Sequence, residues 1–376
     1  MHFICSLEEI RRGVSAAAKA TIAKSPNAMY EVLLIQAFDG EDPRVVITGY
    51  SGDISIETIT PAEVRSTGSV VVSARFLSEI IAKLDEQRVS FYLREETMMI
   101  IESGQGMYNI YCESGDVYPP VNWLETNDVI DLPLPAMIDM IRRTLFSASS
   151  ETVRQTFSGC FFYSDGNKFD VVGIDGFRMA LRRRRNTEEE QYPEMSFNVP
   201  GRTLRELASI SFRHDRMKVA LSGNRIVFAT PSIRVGSPLI SGDYINYESI
   251  IPQTPTTRMI VNRSEMLAAI ERSLLIVPED NRKLNVQLST PDNQTLIMDI
   301  ASSRGTFHES IRVDVTGELI NLFFNPNYIC EALRAIDEEK IEMAFTGMVG
   351  PTVFLPLEGD GWLYLLLPLR SVQPSV

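Results

Sequence analysis

The strongest constraint on what this chain can fold into is a pattern that returns three times, at a spacing of roughly 125–130 residues. A strand-like apolar run leads into a helical pattern at Phe3 (FICSLEEIRRGVSAAAK), Ile130 (IDLPLPAMIDMIRRTLFSAS) and Met259 (MIVNRSEMLAAIERSLLIV). The same short core recurs inside them as IRRGV, IRRTL and IERSL. Its aliphatic anchors, Ile10/Val14, Ile141/Leu145 and Ile270/Leu274, are i,i+4 pairs on one helical stripe, which leaves Arg12, Arg143 and Arg272 facing outward. A second strand-then-helix trio follows at Val70 (VVVSARFLSEIIAKL), Phe197 (FNVPGRTLRELASI) and Leu322 (LFFNPNYICEALRAI). Ser73, Pro200 and Asn325-Pro326 suit the starts of these helices. Alternating runs after each helix, joined at REET, SGN and EGDG, predict hairpins.

Three like modules are therefore expected: residues 1–127, 128–255 and 256–376, parted in the polar stretches ETNDV and QTPTT. Each is an α+β unit with two helices packed on antiparallel sheets. Such a chain can bend into an arc that leaves a strand edge unpaired at its end. A second copy joined head to tail can cover that edge.

Charge and cysteine usage narrow the partners. The formal net charge of −13 repels nucleic acid from most of the surface, so any contact with it must use a local basic face. Cys5, Cys112, Cys160 and Cys330 form no C-x-x-C, and His2, His214 and His308 are scattered, so no zinc spacing exists. Reduced, buried thiols and no cofactor or metal are expected. The amphipathic N-terminus carries Glu8 and Glu9 where a signal peptide needs an apolar run, and the longest apolar stretch, Trp362–Leu369, suits a buried strand rather than a membrane span. A cytoplasmic protein without membrane contact is expected.

No phosphate-binding loop, nucleophile elbow or H-E-x-x-H is present. Asp165, Asp170 and Asp175, evenly spaced among aliphatics, fit strand ends and turns better than a metal cluster. The run Arg182–Arg185, followed by Glu188–Glu190, reads as a solvated, partly self-neutralised loop, with an auxiliary DNA contact as the alternative.

Three further stretches give the repeat a family likeness: Gly173–Leu181 (GIDGFRMAL), Gly242–Pro252 (GDYINYESIIP) and Tyr364–Arg370 (YLLLPLR). In this order, the chain resembles the bacterial DNA polymerase III beta subunit, or sliding clamp, family over its whole length. The resemblance implies a DNA-clamp fold: three domains per chain, six in a ring formed by a head-to-tail homodimer. It also implies a non-catalytic processivity factor that encircles duplex DNA regardless of sequence, is nucleoid-associated, and tethers the replicative polymerase. A clamp paralogue or protein-interaction scaffold outside main replication is the alternative.

Candidate DNA-facing residues are the outward Arg12, Arg143 and Arg272, with Arg11, Arg142, Lys19, Lys24, Lys83, Arg154, Arg205 and Arg334 nearby. Their excess over acidic neighbours is small, so persistence on DNA must come from enclosure rather than affinity. The resemblance places a partner-peptide groove between the middle and C-terminal domains. Its residues are Phe157, Ile174, Gly176, Phe177, Arg178 and Met179, then Ile245, Ser249 and Ile250, then Val349 and Pro351, and finally Leu365, Leu366, Leu367, Pro368, Leu369 and Arg370. Short linear motifs of the polymerase, the clamp loader and repair proteins are its implied ligands, with Arg178 and Arg370 offering hydrogen bonds to them. Phe177, Ile174, Ile245 and Ser249 depart from the family pattern and make the groove greasier. The implied dimer seam pairs Tyr108 and Ile110 on an edge strand with Leu275 and Ile276.

Overall fold

The structure, a computed structural model, describes residues 1–124, 129–149, 154–188, 190–278 and 285–369. The expected domain boundary at 127/128 and the groove residue Arg370 lie outside these residues. All six helices form where the repeat puts them: α1 (Leu7–Ala18), α2 (Ala74–Lys83), α3 (Leu134–Arg142), α4 (Gly201–Ser209), α5 (Arg263–Leu274) and α6 (Pro326–Arg334). Side-chain oxygens cap three of them. Ser73 accepts from the Phe76 N–H, Asn262 from that of Glu265, and Asn325 from that of Asn327, with Pro326 in the first turn of α6. The anchors Ile10, Val14, Ile141 and Ile270 are buried, each worth about 1.5–3 kcal/mol when taken from water.

The second expected stripe, Ile141/Leu145, is shorter than the sequence suggests. Helix α3 stops at Arg142, and Leu145 opens a separate 3₁₀ turn, Leu145–Ser147. Thr144 Oγ1 donates back to the Met140 carbonyl at 2.8 Å, a local bond that competes with helix continuation.

The chain divides into two compact units: Met1–Ile138 with Arg202–Leu239, and Asp139–Gly201 with Ile240–Val376. Each unit carries one antiparallel sheet that runs through strands from two of the three repeats. In the first unit, strand Ile233–Pro238 pairs with Ser55–Ser66, joining middle-repeat strands to those of the first. In the second, Arg178–Arg185 pairs with Trp362–Leu366, joining the middle repeat to the last, with Arg178 opposite Leu366 and Met179 opposite Leu365. Helices α1 and α2 pack together over one apolar cluster, and α5 and α6 over another. Arg11 fastens the first pair by donating to the carbonyls of Ile81, in the last turn of α2, and Leu84, just past its end. Arg263 does the same for α6, through the carbonyls of Leu333 and Glu338.

Candidate functional site

Eleven of the expected groove residues line one cavity of about 230 Å³ in the second unit. Strand Lys168–Ile174 ends at Ile174, the chain turns through Asp175 and Gly176, and strand Arg178–Arg185 begins. Asp175 Oδ1 accepts from the backbone N–H groups of Phe177 (2.9 Å) and Arg178 (3.1 Å), and Gly176 supplies the turn's positive φ of 95°. This turn pushes the Phe177 ring out to 55% exposure at the cavity rim. Phe157, Ile174, Met179 and Leu365 are buried and floor the cavity, while Ile245, Ile250, Pro351 and Leu367 complete the wall. A preformed apolar hollow of this kind accepts aliphatic or aromatic anchors of a short segment.

Several expectations need correcting. Arg178 is not available to a partner: only 8% exposed, it donates to Asp175 Oδ2 (2.9 Å), the Phe146 carbonyl (2.7 Å) and Glu331, and stacks over Tyr328 at 4.0 Å. Burial opposes its charge, but the flanking acids and hydrogen bonds outweigh that and drive its pKa upward. Leu366 packs into the core beneath α5 and α6, since alternate strand residues face opposite sides. Ser249, Val349, Pro368 and Leu369 lie outside the cavity lining. Val349 is nonetheless 88% exposed, and Leu369 donates its N–H to the Phe323 carbonyl.

Arg154, expected on the DNA side, sits instead at the groove, its guanidinium 5.6 Å above the Phe157 ring. A cation three residues before a groove aromatic was the available signal. The run Arg182–Arg185 is not a loop but the end of a strand, and its side-chain partners are acidic or phenolic: Asp139 for Arg182, Asp170, Glu248 and Asp360 for Arg183, Glu190 and Tyr192 for Arg184, Asp360 for Arg185. Asp170 lies mid-strand and fully buried rather than at a strand end.

The helix arginines are less open than their spacing implied. Arg12 pairs with Glu9 at 2.6 Å, Arg143 with Asp139 and Asp337, Arg272 with Glu309, and Arg334 with Glu271 at 2.8 Å. The arginine hydrogen bonds hold the carboxyls of Asp337 and Glu309 below their ordinary range. Lys24, Lys83, Arg142 and Arg205 are exposed, and Lys19 is half-buried. Strand Gly106–Tyr111 is the terminal strand of its sheet and presents Met107, Tyr108 and Tyr111 to solvent. Ile110 on the same strand faces the core, whereas Leu275 is 77% exposed and Ile276 packs partly against the core. Among the described residues, no three His, Cys, Asp or Glu side chains form a metal-holding group, and no helix is long and apolar enough to cross a membrane.

Comparison with known proteins covers the chain from end to end. Family models match in order: DNA polymerase III beta subunit N-terminal domain at residues 1–122, central domain at 131–246 and C-terminal domain at 248–370. The beta sliding clamp of Bacillus subtilis is 28% identical over 383 residues, spanning 99% of this chain and 100% of its own. That of Halalkalibacterium halodurans is 27% identical over 384 residues, with the same coverage. The crystal structure of the Bacillus subtilis DNA polymerase sliding clamp superimposes with a TM-score of 0.89 at 27% identity, over 99% of both chains.

Proposed function

The chain belongs to the DNA polymerase III beta subunit family, and from that premise we propose how its residues serve a clamp's work. It is a non-catalytic sliding clamp, a processivity factor that encircles DNA and tethers the replicative polymerase. In our reading, residues 1–127, 128–255 and 256–376 act as three modules, and two copies close head to tail. The edge strand Gly106–Tyr111, with Tyr108 and Met107 exposed, meets the segment around Leu275 of the other copy. The cavity walled by Phe177, Ile245, Pro351 and Leu367 receives short apolar motifs of the polymerase, the clamp loader and repair proteins, with Arg154 beside it for an acidic flank. The protein works in the cytoplasm on nucleoid DNA.

The succession of three clamp-domain matches along one chain carries this reading. The electrostatics fit it. A protein of net charge −13, whose helix arginines are already paired with its own carboxylates, holds phosphates weakly. Weak, sequence-blind contacts let a threaded ring slide, while enclosure prevents its loss.

The test loads the protein onto nicked circular DNA with a bacterial clamp loader and ATP, then linearises half of the sample. Retention on the circle with rapid loss from the linear form is expected. Equal loss from both would overturn the proposal. Retention without polymerase stimulation would mark a paralogue outside main replication. Leu367→Asp is expected to abolish stimulation while leaving the dimer and its retention intact.

A further inference from the structure

Arg183, from the basic run, and the buried Asp170 meet behind the groove and support part of its wall. The wall residues Ile245 and Ile250 come from the segment Gly242–Pro252, whose only regular element is the short 3₁₀ turn Tyr247–Ile250. Asp243, Ile245, Asn246, Glu248 and Ser249 are all exposed, while Tyr244 stacks on the Phe161 ring at 4.5 Å and donates its hydroxyl to the Val172 carbonyl at 3.3 Å. Beyond Tyr244, two neighbouring residues tie it to charged groups of the sheet. Tyr247 is buried and donates its hydroxyl to Asp170 Oδ2 at 2.8 Å. Glu248 accepts from Lys168 and, at 3.1 Å, from Arg183.

Asp170 and Arg183 face each other across paired strands, and Arg183 grips the carboxylate with two bonds of 2.8 and 2.6 Å. The same guanidinium reaches Glu248, so one arginine links the sheet to the segment. Both strands run on to the groove, one ending at Ile174 and the other beginning at Arg178. A buried ion pair is a poor way to gain stability, because an apolar pair of similar volume does as well. What it provides is direction: a two-pronged arginine fixes the carboxylate plane, and with it the position at which Asp170 Oδ2 meets the Tyr247 hydroxyl.

We propose that Asp170 and Arg183 are positioning residues for partner recognition, clamping Tyr247 and Glu248 so that Ile245 and Ile250 stand in the groove wall before a partner arrives. This rests on the groove being the partner site. Its ligand is a short peptide with aliphatic and aromatic anchors, as the lining requires. The clamp makes no contact with the peptide. It raises the fraction of molecules whose groove is already formed, and apparent affinity scales with that fraction.

The two roles separate kinetically. Losing a direct contact speeds dissociation, whereas losing preorganisation slows productive association. The probe is a fluorescein-labelled peptide, Ser-Leu-Ser-Leu-Phe, followed by stopped-flow anisotropy on the full-length protein. The variants are Tyr247→Phe, which keeps the ring, and Glu248→Gln, at an exposed position. The double variant is expected to raise Kd about tenfold through the association rate, with the dissociation rate within about twofold of the parent. Leu367→Asp, in the wall itself, is the comparison that abolishes binding. Parent protein that fails to bind the peptide overturns the groove reading and this inference with it. Normal parental binding with an unchanged association rate in the double variant, whatever happens to its melting temperature, overturns this inference alone. A faster dissociation rate without slower association does the same.

Discussion

Replacing Arg178 by methionine keeps the apolar stem and removes the guanidinium, so it isolates what the charge does. In the folded chain that group satisfies Asp175, Glu331 and the Phe146 carbonyl and lies 4.0 Å from the Tyr328 ring. Asp175, only 12% exposed, and the Phe146 carbonyl then each lose a donor. Removing one partner of a buried pair costs about 3–5 kcal/mol, and the lost ring contact belongs to the same network, so the two are not summed. With about 4 kcal/mol lost and a urea slope of about 3 kcal/mol per molar, the unfolding midpoint should fall by about 1.3 M. The chain has only two tryptophans. Trp362, buried and donating to Glu338 at 2.7 Å, reports on the unit that holds Arg178, and Trp123→Phe removes the other signal. Arg178→Lys should recover less than half of the loss, because an ammonium cannot span three acceptors in one plane. A Trp362 midpoint that moves by less than about 0.3 M in Arg178→Met would refute the reasoning, since it would mean the network is worth no more than a surface pair.

Other expectations follow from the same structure. All four cysteines are buried, and burial pushes Cys5 and Cys160 up to about 12. Folded protein at pH 8 should therefore stay unreactive toward a disulfide reagent for an hour and release all four thiols in urea. A fast-reacting native thiol would contradict the packing. A thiol with a raised pKa favours the folded state below its ordinary value of 9.0, so these two contributions should fade between pH 9 and about 12. Asp337, Glu309, Glu248 and Asp360 have lowered pKa values, caused first by hydrogen bonds from Arg143, Arg272, Lys168 and Arg185. Their support is present above the ordinary carboxylate range and is lost as the pH falls through the lowered values. Acid titration of Asp337→Asn should thus show a shallower stability loss on the acid side, measured by urea midpoints. Asn262→Ala removes the cap of α5 and should cost about 1 kcal/mol of stability, with circle retention unchanged.

Much of the site was legible because the family resemblance placed its residues along the chain. Local chemistry adds one point, that Gly176 after Asp175 announces a tight turn. The errors have a shared origin. Helical spacing turned Arg12, Arg143 and Arg272 away from the core stripe and is consistent with the local pairs Glu9–Arg12 and Asp139–Arg143, but could not reveal Asp337 or Glu309 as partners. Both sit far away in sequence. Arg178 looked open for the same reason, as Glu331 and Tyr328 are about 150 residues downstream.

Alternation and period placed the six helices and their preceding strands, because which face of an element turns inward is set by residues three or four apart, or two apart. The number of modules came from the same short-range signals, repeated. Which strand lies beside which was decided only in three dimensions: the basic run became the end of a paired strand, with Arg183 opposite Asp170 and Trp362 against Arg182. Backbone pairing across long loops is fixed by collective packing, and charges then settle against whatever that packing brings near. The sequence determined where the cations are; the tertiary structure decided which of them remain for a partner.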